Sequence, residues 1–315
     1  MKVLQESIMI PENYKYAINE LPEMKAAIHD WYKDRYHVEL TNDEMICLQG
    51  SQEALSTLFL AMCDPGDIVL VPDPYYPIFS DGPKIAGAKV EYMPLLEEYN
   101  YIIQLDKIDE EIAKKAKMMI VSYPNNPTCA IAPDSFYEEL IAFAKKYDIV
   151  VLHDNAYSEL VFDGKVGKSF LSFAGAKEVG IELNSFSKTY GMAGARLGVC
   201  VGNKEVIGCY NTLKSNMDYG IFLPVQYAGI EALRHGGASI HSTCQAYQDR
   251  RDALCEAFDE VGWHIDKSPA TMFAWARIPD QYEDSYAFTK DLMEKTGVVV
   301  TPGQAFGVHG TRYVR

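Results

Sequence analysis

The sharpest chemical feature of the chain is a lysine between hydroxyls and an arginine, in the run Ser185-Phe-Ser187-Lys188-Thr-Tyr-Gly-Met-Ala-Gly-Ala-Arg196-Leu-Gly198. It lies at the end of an apolar stretch that reads as a buried strand. A lysine at the mouth of a sheet is costly as a cation unless paired, and desolvation drives it toward a neutral, nucleophilic amine. That is the chemistry of an imine-forming lysine. Ser185, Ser187 and Arg196 could converge on one dianionic phosphate. Taken alone, the same residues also describe a surface loop with a solvated Lys and Arg.

Other stretches bear on that choice. Tyr123-Pro-Asn-Asn126-Pro-Thr128 ends one apolar run and Asp154-Asn-Ala-Tyr157 ends another. Both would sit at the carboxyl edge, where open α/β sheets bind ligands. Asp154 is also readable as a helix N-cap, and Tyr157 as half-buried packing. Gly50-Ser51-Gln52-Glu53 follows a strand-like run and opens a helical pattern, which offers the Ser51 and Gln52 amides to a phosphate. Small residues begin many helices, so that motif does not stand by itself.

The elements that must position these residues alternate between residues 44 and 203. MICLQG, DIVLVP, KVEYMP, KMMIVSYP, DIVVLHD, VGIELNSFS and LGVCVGN read as strands, several of them apolar on consecutive residues as expected for strands covered on both faces. SQEALSTLFLAM and SFYEELIAFAKKY carry apolar residues at helical spacing. Strand then helix, repeated, predicts an α/β fold: a mostly parallel central sheet with helices on both faces. From residue 224 the texture becomes a long helical stretch. It is followed by a smaller α+β segment, with FAWARIP and VVVTPG as strands and SYAFTKDLMEKTG as a helix. A boundary is placed at Gly236 to Gly237, giving a large domain over 1–236 and a small one over 237–315. The closing RYVR reads as the start of an unfinished strand, so the small domain is expected to be truncated.

With 315 residues, 48% hydrophobic and 23% charged, the composition is that of a globular protein and excludes disordered, collagenous and disulfide-scaffold classes. The 29 basic against 44 acidic side chains leave a formal charge of −15, which argues against binding to nucleic acid or anionic lipid. Seven dispersed cysteines with no C-x-x-C pair point to a reduced compartment with neither a disulfide nor a metal framework. The opening MKVLQESIMIPENYK lacks the character of a signal peptide, and no window approaches a membrane span. A cytoplasmic protein is expected.

In this order and with these gaps, the segments resemble the class I and II aminotransferases, the fold-type I enzymes that use pyridoxal 5′-phosphate. The resemblance runs from Asn13 to Arg315, with SFSKTYGMAGARLG its most specific part. It implies an enzyme of amino acid metabolism and biosynthesis that moves an amino group from an L-amino acid to a 2-oxo acid. Lys188 would carry the Schiff base and shuttle the α-proton. Asp154 would face the pyridine nitrogen, Tyr157 and Asn126 would hydrogen-bond the phenolic oxygen, and Tyr76 of Pro72-Asp-Pro-Tyr-Tyr76-Pro would cover the ring. Ser51, Gln52, Ser185, Ser187 and Arg196 would hold the phosphate. Arg315, with Asn126, would take the substrate α-carboxylate through the fork that only arginine offers. A homodimer with shared sites is implied, in which Tyr14 or Tyr16 reaches the partner's phosphate.

Lys214 to Gln226 resembles the subgroup of LL-diaminopimelate and alanine aminotransferases, and no second arginine there favours strict aspartate specificity. Competing readings are a C–S β-lyase on the same scaffold and a non-catalytic protein that keeps the fold. Two departures stand out. The family usually has Gly at Cys129, which would be strained if that position needs positive φ. The segments that family members carry before and after this chain are absent, which leaves the activity of the chain as it stands in question.

Overall fold

The structure, a computed structural model, describes residues 2–315. Its main sheet has seven strands: β1 Met45–Leu48, β2 Ile68–Asp73, β3 Lys89–Pro94, β4 Ala116–Ser122, β5 Val150–Asp154, β6 Gly180–Ser185 and β7 Gly198–Gly202, in the order β1-β7-β6-β5-β4-β2-β3. Each matches a run expected from the sequence. The pairs from β3 through β2, β4 and β5 to β6 are parallel, and β7 runs antiparallel between β6 and β1.

The sheet is covered on both faces, and successive side chains of β4 show why its run is continuous. Met119 and Val121 join Met24, Ile28 and Tyr32 of the helix Pro22–Tyr36 and Leu140 of the helix Asp134–Tyr147. Met118 and Ile120 face the other way, toward Leu55, Leu58 and Phe59 of the helix Gln52–Met62 and Tyr210 of the helix Lys204–Met217. A strand of period two buried on both sides has no polar face to display.

Register then decides where chemistry can collect. Ser122 pairs with Asp154, and Asp154 with Leu183, two residues before Ser185. The segments 123–128, 154–157 and 185–188 therefore leave the sheet side by side at its carboxyl edge, as the sequence predicts.

The helices Leu223–His235 and Gly237–Glu260 meet at Gly236. A Cβ there would lie 2.4 Å from Ala232 O and 2.5 Å from Tyr190 Cε1, so only glycine lets the Tyr190 ring seat against the joint. Beyond it, Cys255, Ile265, Ala276, Ile278, Phe288 and Val314 form a separate small core. The strand expected over FAWARIP shrinks to β8, Ala276–Arg277, paired antiparallel with β9, Tyr313–Val314. VVVTPG departs from expectation. Its backbone pairing is confined to Thr301, which exchanges two hydrogen bonds with Arg315, and to a bridge at Pro302. Val298 and Val299 stay exposed, because apolar β-propensity makes a strand only where a neighbour supplies the ladder.

Candidate active site

Ser185 ends β6 in extended conformation and caps the turn Phe186–Thr189, its Oγ accepting from Ser187 N at 3.2 Å. That turn presents Lys188, half-buried. Burial lowers its pKa first, and the cations Arg196 and Arg315 push it the same way. Arg196 occupies the left-handed region at φ 51°, and its guanidinium donates to Ala193 O at 3.0 Å and Gln49 O at 3.4 Å. It lies across Gly50, where φ is +79° and a Cβ would sit 2.3 Å from Arg196 Nη2. Gly198 pairs with Ser185, and a Cβ there would come within 2.8 Å of the Ser51 amide. Two close approaches that only glycine permits thus bring Ser51, Ser185 and Arg196 together. Glu53 N turns back to Gly50 O, leaving the Ser51 and Gln52 amides at the positive end of an 11-residue helix. The result is a cup suited to a phosphate.

The start of that helix is locked from behind by groups the sequence reading did not single out. Lys214 is 4% exposed, with Nζ 2.6 Å from Glu53 Oε1 and 2.7 Å from Asp218 Oδ2. Glu53 in turn accepts from Gln49 N. No local pattern could have announced a pair 161 residues apart.

Beside the cup, Asp154 is buried at the end of β5 and its Oδ1 has no hydrogen-bond partner among the described residues. Burial pushes its carboxyl up to about 6, against the pull of the neighbouring His153 and the Ala156 amide. A buried, half-satisfied carboxyl is what a bound ring N–H would complete. Tyr157 is also buried, which raises its phenol, and Asp154 adds to that shift. Tyr76 is half-buried; its hydroxyl donates to Gln52 Oε1 at 3.0 Å and its ring meets Phe79 edge-on. The donor set and the orphaned carboxyl together fit a phosphorylated pyridine.

Arg315 closes the cleft. Its Nη1 donates to Asn126 Oδ1 at 2.8 Å, and its guanidinium lies 4.3 Å from the Phe273 ring centre and 4.6 Å from that of Phe306. Burial lowers its pKa, with Tyr157, Cys129 and Tyr76 opposing. One of five donors is engaged, leaving the rest of the fork for a carboxylate. The two flanking phenyl rings were not foreseen; Phe273 sits in an apolar run with nothing to distinguish it. Cys129 does take positive φ, +63°, and burial pushes its thiol up to about 12, far from a nucleophile.

Not every candidate joins this cleft. Tyr14 and Tyr16 are exposed, packed on Phe222 and Tyr219 respectively, and the Tyr14 hydroxyl donates to Ile8 O at 2.9 Å. A cavity of about 1000 Å³ between Trp31, Glu159 and His241 shares no residue with the cleft. Among the described residues, no group of three or more His, Cys, Asp or Glu could hold a metal, and no helix is long and apolar enough to cross a membrane.

A family model described as aminotransferase class I and II matches residues 2–315. The LL-diaminopimelate aminotransferase of Halothermothrix orenii is 46% identical over 312 residues, covering 98% of this chain and 80% of that relative. The enzyme of the same name from Moorella thermoacetica is 44% identical over 307 residues, 97% of this chain and 78% of the relative. Among solved structures, apo-BacF from Bacillus subtilis superposes with a TM-score of 0.96 at 39% identity, over 100% of this chain and 80% of its own. An aminotransferase from Staphylococcus aureus gives 0.95 at 34%, over 100% and 83%.

Proposed function

Because the chain belongs to the class I and II aminotransferases and is a transaminase, we propose that it uses pyridoxal 5′-phosphate to take the amino group of LL-diaminopimelate and pass it to a 2-oxo acid. The observation that carries the cofactor reading is the buried Asp154, whose Oδ1 lacks a partner beside the Lys188 turn. The donor rests on the names of relatives 40–46% identical to this chain.

The chemistry such a cofactor supplies is an aldehyde carbon for the amino group and a ring able to accept an electron pair from Cα. The protein's part is binding, orientation and proton transfer. The Ser51 and Gln52 amides, the Ser185 and Ser187 hydroxyls and Arg196 would hold the phosphate. Asp154 would accept the ring N–H, and that positive partner would pull its carboxyl pKa back down. Tyr157 and Asn126 would hold the phenolic oxygen, and Tyr76 would cover one face of the ring and keep water from it. Lys188 Nζ, whose pKa is lowered by burial and by two neighbouring cations, would be the covalent anchor and the base that takes and returns the α-proton. Arg315 and Asn126 bind the α-carboxylate and so fix which Cα bond faces Nζ.

We divide the chain into a cofactor-binding domain over 1–236 and a smaller domain over 237–315. A homodimer is supported by one apolar patch. Met9, Tyr14, Tyr16, Ile18, Tyr219 and Phe222 are each more than two-fifths exposed, and a second copy of the chain would cover them. Tyr14 is engaged by its own chain, so Tyr16 is the hydroxyl offered to the partner's phosphate. Seven unpaired cysteines suit a reducing cytoplasm.

Purified protein given the cofactor should be yellow, with a visible band that borohydride bleaches and an adduct that maps to Lys188. Lys188→Ala should lower turnover by ~10³-fold or more. A donor panel with 2-oxoglutarate and pyruvate should rank LL-diaminopimelate first. Keto acid formed without any acceptor would indicate elimination instead.

A further inference from the structure

We propose that Cys129 is a positioning residue for the substrate carboxylate: its thiol ties the Asn126 loop to the Ser268–Phe273 turn and thereby fixes the ring beneath the Arg315 guanidinium. The inference rests on the reading of Arg315 as the carboxylate-binding group.

Two non-glycine residues in this region hold the left-handed conformation, Cys129 at φ +63° and Thr271 at +73°. The second is β-branched, for which such a φ is a true outlier. Conformations of this kind persist only where surrounding contacts over-determine them, and they gather at ligand sites. Here the two outliers touch. Thr271 Oγ1 donates to Cys129 Sγ at 3.1 Å, and the Cys129 thiol is 3.4 Å from both Pro127 O and Phe273 O. Phe273 is then held by both of its backbone polar groups, its N–H donating to Thr271 Oγ1 at 3.2 Å and its carbonyl accepting from Ser268 Oγ at 3.1 Å.

What these bonds hold is the floor of the carboxylate site. The Phe273 ring centre lies 4.3 Å from Arg315 Cζ and 5.6 Å from that of the Tyr157 ring. Arg315 is bonded to Asn126, three residues before Cys129 on the same loop. The thiol therefore joins the two supports of one guanidinium, Asn126 from the sheet edge and Phe273 from the small core's side. The high thiol pKa keeps the proton on sulfur, so Cys129 acts as a donor and resists oxidation. Glycine would fit the backbone with less strain and would leave Phe273 without this tie.

The test compares Cys129→Gly with Cys129→Ser in the cofactor-loaded enzyme. Cys129→Gly should fold with an unchanged or higher Tm, keep kcat within about threefold, and raise KM for 2-oxoglutarate ~10-fold. Cys129→Ser, which keeps a donor at that place, should bring KM back to within about threefold of the parent. A matching rise in the Kd of 2-oxoglutarate for the cofactor-free chain, read by tryptophan fluorescence, is expected for the Gly variant. An unchanged KM in Cys129→Gly, a loss confined to kcat, or no recovery with Ser overturns the proposal. Failure of the parent protein to transaminate would instead remove the aminotransferase reading on which it rests.

Discussion

Asp154 carries the unusual energetics of the site. Its carboxyl is pushed up from the ordinary 3.8 to about 6, because folding removes water from it and none of the described residues replaces both acceptor contacts. A folded-state pKa above the unfolded one gives stability that is present below about pH 4 and lost as pH rises through about 6. The loss amounts to about 3 kcal/mol. Cofactor-free protein should therefore melt at a lower temperature at pH 7 than at pH 4.5 by a margin that Asp154→Asn lacks. Melting curves of the two proteins that run parallel from pH 4 to 7 would remove the claim. Adding cofactor should shrink the difference, since a cationic ring nitrogen reverses the penalty. At this scale the sequence was most legible where polar residues interrupt strand ends, as at Asn126, Asp154 and Lys188. It was silent where the job is done by an ordinary apolar side chain, as with Phe273 and Phe306 around Arg315.

Between elements, legibility tracks how local the cause is. Seven strands and the helices Gln52–Met62 and Asp134–Tyr147 followed from apolar periodicity, because each buries its own residues against a sheet face, whereas Pro22–Tyr36 and Lys204–Met217 were not among the expected helices. VVVTPG failed because a strand also needs a partner, which composition cannot see. The brace behind the phosphate cup was hidden for the same reason: Lys214 comes from one helix, Glu53 from the start of another and Asp218 from the turn after the first. Removing the lysine leaves two carboxylates without their cation. Lys214→Met should lower unfolding stability by about 3 kcal/mol and weaken cofactor retention, since the Gln49–Gln52 stretch loses its support. Urea denaturation and the dissociation constant of pyridoxal 5′-phosphate test the two parts. A variant with parental values in both would show that Lys214 merely fills space. At Gly220 φ is +88° and a Cβ would fall 1.9 Å from Ala17 O, so Gly220→Ala should unseat the 14–17 segment from the 218–222 turn.

For the whole molecule, the exposed rings of Tyr14, Tyr16, Tyr219 and Phe222 matter more than its net charge. Placing a cation among them should weaken association without disturbing the core. Tyr219→Lys is expected to shift sedimentation from dimer toward monomer and to lower cofactor affinity in step. A parent protein that sediments as a monomer at micromolar concentration would refute the shared-site arrangement. Charge patterning gave no hint of this surface, since apolar residues on a monomer's exterior look like any others until the fold groups them.

Gly236 has a reach that its distance along the chain conceals. The Tyr190 ring that rests against it belongs to the residue two places after Lys188, so the elbow of the long helical arm packs on the turn that presents that lysine. Any side chain at 236 must displace both that ring and the Ala232 carbonyl of the arm itself. A replacement made for helical propensity alone, Gly236→Ala, should therefore reach the Lys188 turn through Tyr190, and borohydride trapping at that amine would report a change made 48 positions downstream.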